Sequence, residues 1–368
     1  MVGRHSRFDR PASSGASEDH EGFGDEPNQC KMLPVRLRNE IPLNSMTRSS
    51  VVISSARLLP WLFRPLVRGL FLAYPYRRGS PHWVLLQLKE NLGIRVSRRM
   101  KVDGFTIEAD PFDGPGHTFW QTGLTEPETR NLLSRFLRPG MVMLDVGAYV
   151  GQFTLVASRA TGDEIRIFAF EPTPDVFHQL RRNVQANHCS HVTCIQAALS
   201  DKPGRGKFYL YSQSHDQNSL RPLIPDARCV EVTVETIDAI SEKHKIGQID
   251  LIKIDVEGNE FCVLKGARQS LARFRPVLII EVSKHQQSYG YTGAALKEFV
   301  SDLGYSIYRV EAGQCPPYVP RDDEINLNVS HFNIVGVPRE RPALFPLTRI
   351  SPDSPPSQPL DNGVLDQR

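Results

Sequence analysis

The hydrophobic pattern of this chain changes period repeatedly, and each change predicts an element. Short, mostly apolar runs at Met141–Val146, Ile165–Phe170, Ile249–Ile254 and Val277–Val282 read as strands buried on both faces of a parallel sheet. Between them the period becomes helical. Leu132, Leu133, Phe136 and Leu137 mark one face of a helix over Thr125–Leu137, with Thr125 as its cap and Arg138-Pro139-Gly140 as its end. A second helix is expected over Gln152–Ala160. A third starts at Thr173, with Pro174 in its first position and Phe177, Leu180 and Val184 on its face. Strands are also predicted at Val192–Ala198, from Tyr305 through Val310, and at Phe332–Val337, with a helix over Ala294–Leu303.

Two segments break this alternation. Lys207–Tyr211 and Cys229–Glu235 alternate with period two, as an inserted antiparallel hairpin would. The stretch between them, Ser212–Arg228, is long for a compact domain and is a candidate lid over a site. The predicted architecture is therefore a doubly wound, mostly parallel seven-stranded α/β sheet with an inserted antiparallel hairpin. Such sheets bind ligands at the carboxyl ends of their strands. This domain should occupy residues 121–338. Residues 1–50 and 339–368 are polar and short of aromatic or periodic apolar positions, so both read as disordered tails. Residues 51–120 read as a partly helical N-terminal extension or cap. Within it, 51–74 is apolar but interrupted by Arg57, Pro60, Arg64, Pro65 and Arg68. That excludes a transmembrane span and leaves packing on the domain, or peripheral membrane contact, as the alternatives.

Charge and cysteine narrow the function. With 44 basic and 41 acidic residues the net charge is +3, which is no footprint for nucleic acid. The six cysteines show no metal-ligand spacing, so they read as free thiols of a reducing, cytoplasmic protein.

Candidate chemistry gathers at the strand ends. The first strand carries Asp145 and runs into Gly147-Ala148-Tyr149-Val150-Gly151, then a helix. A strand, a glycine loop and a helix N-terminus suit a ligand with an anionic group. About two dozen residues on, Glu171 ends the second strand, where an acid binds the ribose hydroxyls of an adenosine-containing ligand. A dinucleotide needs a second close glycine, and Tyr149 stands in that place. The loop is better matched to the methionine carboxylate of S-adenosylmethionine, with Asp145 near its ammonium.

These residues, with Phe170-Glu171-Pro172-Thr173-Pro174, Asn183, Ala198-Leu199-Ser200-Asp201 and the run from Asp250 to Glu260, resemble the FkbM-type methyltransferases of the class I methyltransferase fold. The likeness extends over about residues 120–310. It implies S-adenosylmethionine as cofactor and O-methylation of a small molecule, sugar or glycan. The expected cofactor contacts are Asp145, Gly147, Ala148, Gly151, Glu171, Pro172 and Ala198. One departure is Tyr149, where the family usually has Asn.

Methyl transfer from a sulfonium needs positioning and removal of a hydroxyl proton. The candidates for that work are Asp255, Glu257 and His285. Alternatively Asp255, Glu257 and Glu281 hold a hard cation such as Mg²⁺, which acidifies the hydroxyl. The competing readings are a nicotinamide-dependent oxidoreductase, disfavoured by Tyr149, and a nucleoside-binding scaffold without catalysis.

Overall fold

A computed structural model describes residues 97–342, apart from 112–113, 212–217, 224–226, 313 and 318–330. The expected tails, the apolar stretch at 51–74 and most of the candidate lid lie outside the described residues. Among those described, no helix is long and apolar enough to cross a membrane.

The chain enters as a hairpin, β1 (Arg98–Val102) and β2 (Phe105–Ala109), followed by α1 (Gly114–Gln121) and α2 (Pro127–Phe136). The α/β series is β3 (Val142–Val146), α3 (Gln152–Thr161), β4 (Arg166–Phe170), α4 (Pro174–Ala186) and β5 (Val192–Ile195). Then come β6 (Ala198–Leu199), β7 (Gly204–Leu210), β8 (Arg228–Glu235) and α5 (Ile237–Lys243). The series resumes with β9 (Leu251–Ile254), α6 (Glu260–Lys265), α7 (Arg268–Phe274), β10 (Val277–Ser283), α8 (Gly293–Asp302), β11 (Tyr305–Arg309) and β12 (His331–Pro338).

Seven strands form one sheet in the order β11-β12-β10-β9-β3-β4-β5. β10, β9, β3, β4 and β5 run parallel, and β12 is antiparallel to both of its neighbours. This is the predicted doubly wound sheet. The chain reverses its direction of progress between β3 and β9, so the crevice for a ligand opens there.

Strand alternation loads the two faces. Val142, Leu144, Val146, Ile252, Ile254, Leu278 and Ile280 pack with residues of α5, α6, α7 and α8. Met143, Leu251, Val277 and Ile279 pack on the opposite side with α2 and α3. On that second side the strands also bury Asp145 and Lys253, which face each other across the β3–β9 register.

The inserted hairpin forms as expected, with Lys207 opposite Glu231, and β6 joins it in a small second sheet. Three boundaries differ from the expectations. The strand predicted over Val192–Ala198 divides, because the chain turns at Gln196–Ala197 and hands β6 to the second sheet. Thr125 does not cap α2: its N–H and hydroxyl both meet Gln152 Oε1, and Glu126 takes the cap position at φ 50°. The described part of the N-terminal extension is as much hairpin as helix. It is stapled to the main domain by Asn183, which bonds both backbone groups of Glu108 and the Val150 carbonyl.

The cysteine expectation also needs correction. Cys189, Cys194, Cys262 and Cys315 are free, but Cys229, fully buried in β8, is disulfide-bonded. Pairing depends on Cβ proximity in space, which spacing along the chain does not reveal. The thiol argument for a reducing compartment therefore falls away.

Candidate active site

The cavity at the switch point is walled by the ends of β3, β4 and β9 and by the second sheet. Val146, Gly147 and Tyr149 come from the first strand end, Phe170, Glu171 and Pro172 from the second, and Asp255, Val256, Glu257 and Asn259 from β9. Ala197, Ala198, Leu199, Phe208, Asn218 and Leu220 close the far side. Counted out to its mouth, with the open solvent there included, the space is about 520 Å³.

The glycine loop is shaped by close approach. Gly147 has φ 83°, and a Cβ there would lie 1.8 Å from the Asp255 carbonyl oxygen. Glycine is what lets the loops after β3 and β9 touch. The N–H groups of Gly147 and Ala148 both donate to the Phe170 carbonyl, at 3.1 and 2.8 Å, so they hold the loop to β4.

Of the expected cofactor contacts, Gly147, Glu171, Pro172 and Ala198 line the cavity; Asp145, Ala148 and Gly151 are not among its walls. Asp145 is fully buried beneath the loop, where its Oδ2 accepts a 2.6 Å hydrogen bond from the Thr154 hydroxyl and its Oδ1 has no partner. Burial pushes its carboxyl above the usual range, partly opposed by the Lys253 charge. Glu171 is 7 % exposed, and its Oε1 accepts from the Thr173 N–H at 2.8 Å. It thus restrains the start of α4 while facing the cavity.

Sequence reasoning had assigned no role to Lys253. It is 1 % exposed, its Nζ lies 2.7 Å from Asp255 Oδ2, and it sits 4.2 Å from the centroid of the Phe153 ring. Burial alone would lower its pKa; Asp255, Glu126 and Asp145 outweigh that and hold it above the usual ammonium range. The visible signal was a lysine inside an otherwise apolar strand. Phe208 and Leu220 were missed too, because their role depends on how the second sheet folds over the crevice.

The loop after β9 carries the acids. Glu257 takes φ 55°, and Gly258 follows at φ 100°, close to the backbone of His285. Glu260 shapes this turn from below. Its Oε1 accepts from the N–H groups of Val256 and Gly258 at 3.2 and 3.0 Å, and its Oε2 from Tyr291 and Gln286 at 2.9 and 3.2 Å. His285 does not line the cavity. Its Nδ1 meets Glu257 Oε2 at 2.5 Å, and burial lowers its pKa. It therefore reaches the site through Glu257.

Asp255, Glu257 and Glu281 converge, each offering a carboxylate oxygen within 4.8 Å of the others. Glu281 is 7 % exposed and its Oε2 has no hydrogen-bond partner. Burial, then the charges of Asp255 and Glu257, raise its pKa well above the ordinary carboxylate value.

Comparison with known proteins decides what domain this geometry belongs to. Residues 145–307 match the methyltransferase FkbM domain. Over that stretch the chain is similar to FkbM methyltransferases. That stretch runs from Asp145 to β11 and takes in Glu171, the second sheet and the acidic loop. Among curated proteins, the chain is 24 % identical over 210 residues to Methyltransferase 1 of Beauveria bassiana, covering 52 % of this chain and 81 % of that one. It is 31 % identical over 163 residues to 31-O-demethyl-FK506 methyltransferase FkbM of Streptomyces tacrolimicus, covering 36 % and 62 %. Against the hexuronic acid methyltransferase AglP of Haloferax volcanii it is 28 % identical over 140 residues, covering 38 % and 54 %. All three are named as methyltransferases, and the chain spans less than two thirds of the length of the last two. A crystal structure of methyltransferase FkbM from Methylobacillus flagellatus aligns with TM-score 0.36 and 20 % identity, covering 61 % of this chain and 48 % of that one.

The lining of this cavity has the chemistry that S-adenosylmethionine needs. Glu171 presents a carboxylate to the cavity, the kind of acceptor that ribose hydroxyls require. Pro172, Ala198, Leu199, Phe208 and Leu220 supply apolar walls for a flat base. Asn218, 7 % exposed, has a side-chain nitrogen with no partner, a donor for such a base.

Proposed function

We propose that this chain transfers a methyl group from S-adenosylmethionine to a hydroxyl of a small molecule, sugar or glycan. The observation that carries this reading is that Glu171 and the Asp255–Glu257 carboxylates share one cavity, on either side of the glycine loop. One end of that cavity suits a nucleoside, and the other suits a group that must lose a proton.

S-adenosylmethionine, once bound, supplies a methyl carbon on sulfur that accepts the acceptor oxygen's electron pair as the carbon–sulfur bond breaks. The chain's own residues do the rest. Glu171 and the apolar wall orient the nucleoside. Glu257, fixed by the His285 ring and by the turn that Glu260 holds, takes the hydroxyl proton. Asp255 is less available as a base because the Lys253 ammonium engages it at 2.7 Å. The same carboxylates also suit Mg²⁺. The substrates in the relatives' names, 31-O-demethyl-FK506 and hexuronic acid, agree with a hydroxyl-bearing acceptor.

The test is calorimetric. Wild type should bind S-adenosylmethionine, and Glu171→Ala should bind it at least about tenfold more weakly, about 1.4 kcal/mol, with the unfolding midpoint little changed. Equal affinity in the two proteins would remove Glu171 from the site. A labelled-methyl assay against fractionated extract then identifies the acceptor. Labelled product with a free hydroxyl and a methylated amine would overturn O-methylation.

A further inference from the structure

Glu281 is the oddest residue at the carboxyl edge of the sheet. It is a glutamate near the carboxyl end of β10, buried, with an oxygen that has no hydrogen-bond partner among the described residues. A carboxylate desolvated without a partner is costly, so a partner is expected. What faces it is more negative charge: Asp255, Glu257, Glu260 and Glu126 all raise its pKa. Lys253 does not resolve this, since its ammonium is engaged with Asp255.

We propose that Asp255, Glu257 and Glu281 form a binding site for one divalent cation of the Mg²⁺ or Mn²⁺ class. Three carboxylate oxygens within 4.8 Å of one another can reach a common ion. Glu281 Oε2 supplies the unpartnered, buried ligand that an accidental surface cluster of acids lacks. The set is all oxygen, without sulfur or imidazole, which selects a hard cation. His285 completes the arrangement from outside: its ring nitrogen meets Glu257 Oε2 and orients that carboxylate. Lys253 plays the same part for Asp255.

The site adjoins the reaction. Asp255 and Glu257 line the cavity, so a cation they hold would meet an acceptor hydroxyl there. A hydroxyl bound to a divalent cation is more acidic, and its proton then leaves to a carboxylate or to solvent at neutral pH. This use of the ion rests on the methyl-transfer reading above; the binding site itself does not.

Electron paramagnetic resonance of Mn²⁺ with the full-length protein, without donor or acceptor, tests the site. Wild type should remove about one equivalent of free Mn²⁺ signal in a saturable way, and Mg²⁺ but not K⁺ should restore it. Glu281→Gln should weaken binding at least about tenfold while S-adenosylmethionine titrates as in wild type, which shows that the variant is folded. If Glu281→Gln does not fold, the partly exposed Asp255→Asn replaces it, with the same loss of Mn²⁺ binding expected and its fold checked by circular dichroism. The proposal fails if wild type shows no saturable Mn²⁺ binding, or if the folded variants bind it as wild type does. Because no turnover is read, a wrong methyl-transfer assignment would leave the Mn²⁺ result standing, and the reverse also holds.

Discussion

The loops after β3 and β9 lie side by side at the switch point and use the same backbone device for different ends. Each turns through a non-glycine residue and a glycine with positive φ: Tyr149 and Gly151 in one, Glu257 and Gly258 in the other. Each is preceded by an aspartate on or just past its strand. Asp145, inside its strand, is fully buried and bonded to Thr154. Asp255, one position past its strand, has a side chain 24 % exposed and reaches the cavity. A shift of one or two residues along a pleated strand moves an acid from beneath a loop to the site. The first loop is tied down through its own N–H groups and gives shape. The second is held by Glu260 and so can present its side chains. Lys253 stands between the two aspartates, opposite one in the sheet register and in contact with the other.

The comparison breaks most severely if that lysine is removed. Lys253→Met keeps much of the side-chain volume but strips the cation from two buried or half-buried carboxylates. Breaking a buried ion pair in this way costs about 3–5 kcal/mol. Urea unfolding should show a loss of that order, and Lys253→Met combined with Asp145→Asn should recover part of it. A loss below about 1 kcal/mol would mean that the lysine holds neither loop.

A smaller effect separates the loops from each other. Glu260→Gln removes the charge that four donors share and leaves an amide group facing Tyr291 and Gln286. A fall in stability of about 1–3 kcal/mol is expected. Affinity for S-adenosylmethionine should hold if, as proposed, the cofactor is held at the β3 and β4 ends, while methyl transfer falls because the Val256–Gly258 turn is no longer fixed. Loss of affinity and turnover in equal measure would show that the two loops act as one unit.

What the sequence disclosed follows from the range of the forces involved. Runs such as Val277–Ile280 read correctly because a strand buried on both faces is apolar over most of its length, a local requirement. Asp145 was legible as important but was expected at the ligand. Its burial is decided by which face of β3 it occupies, and α3 covers that face. His285 was legible as a titratable residue beside the acids; its contact with Glu257 depends on Gly258 admitting the His285 backbone, a contact between distant strand ends. Asn183 was recognisable only as part of a motif. Its work of joining the first hairpin to the glycine loop appears once both are in place.

The smallest expected effect concerns Tyr149, where the loop departs from the asparagine usual in the family. At φ 51° a bulky side chain is strained by about 1 kcal/mol, whereas asparagine adopts this region readily. The ring also packs against a buried cluster that includes Ala148, Val150 and Leu180, and it lines the cavity. In Tyr149→Asn, relief of strain and loss of that packing should nearly cancel, leaving stability within about 1 kcal/mol of wild type. The substitution also takes away part of the cavity wall, so the KM for S-adenosylmethionine should rise severalfold while kcat stays close to wild type. A gain in stability beyond about 1 kcal/mol with an unchanged KM would mean that the ring contributes strain without contact to the ligand. The loop after β3 would then shape the site through its glycines alone, and the contrast with the side-chain-bearing loop after β9 would be complete.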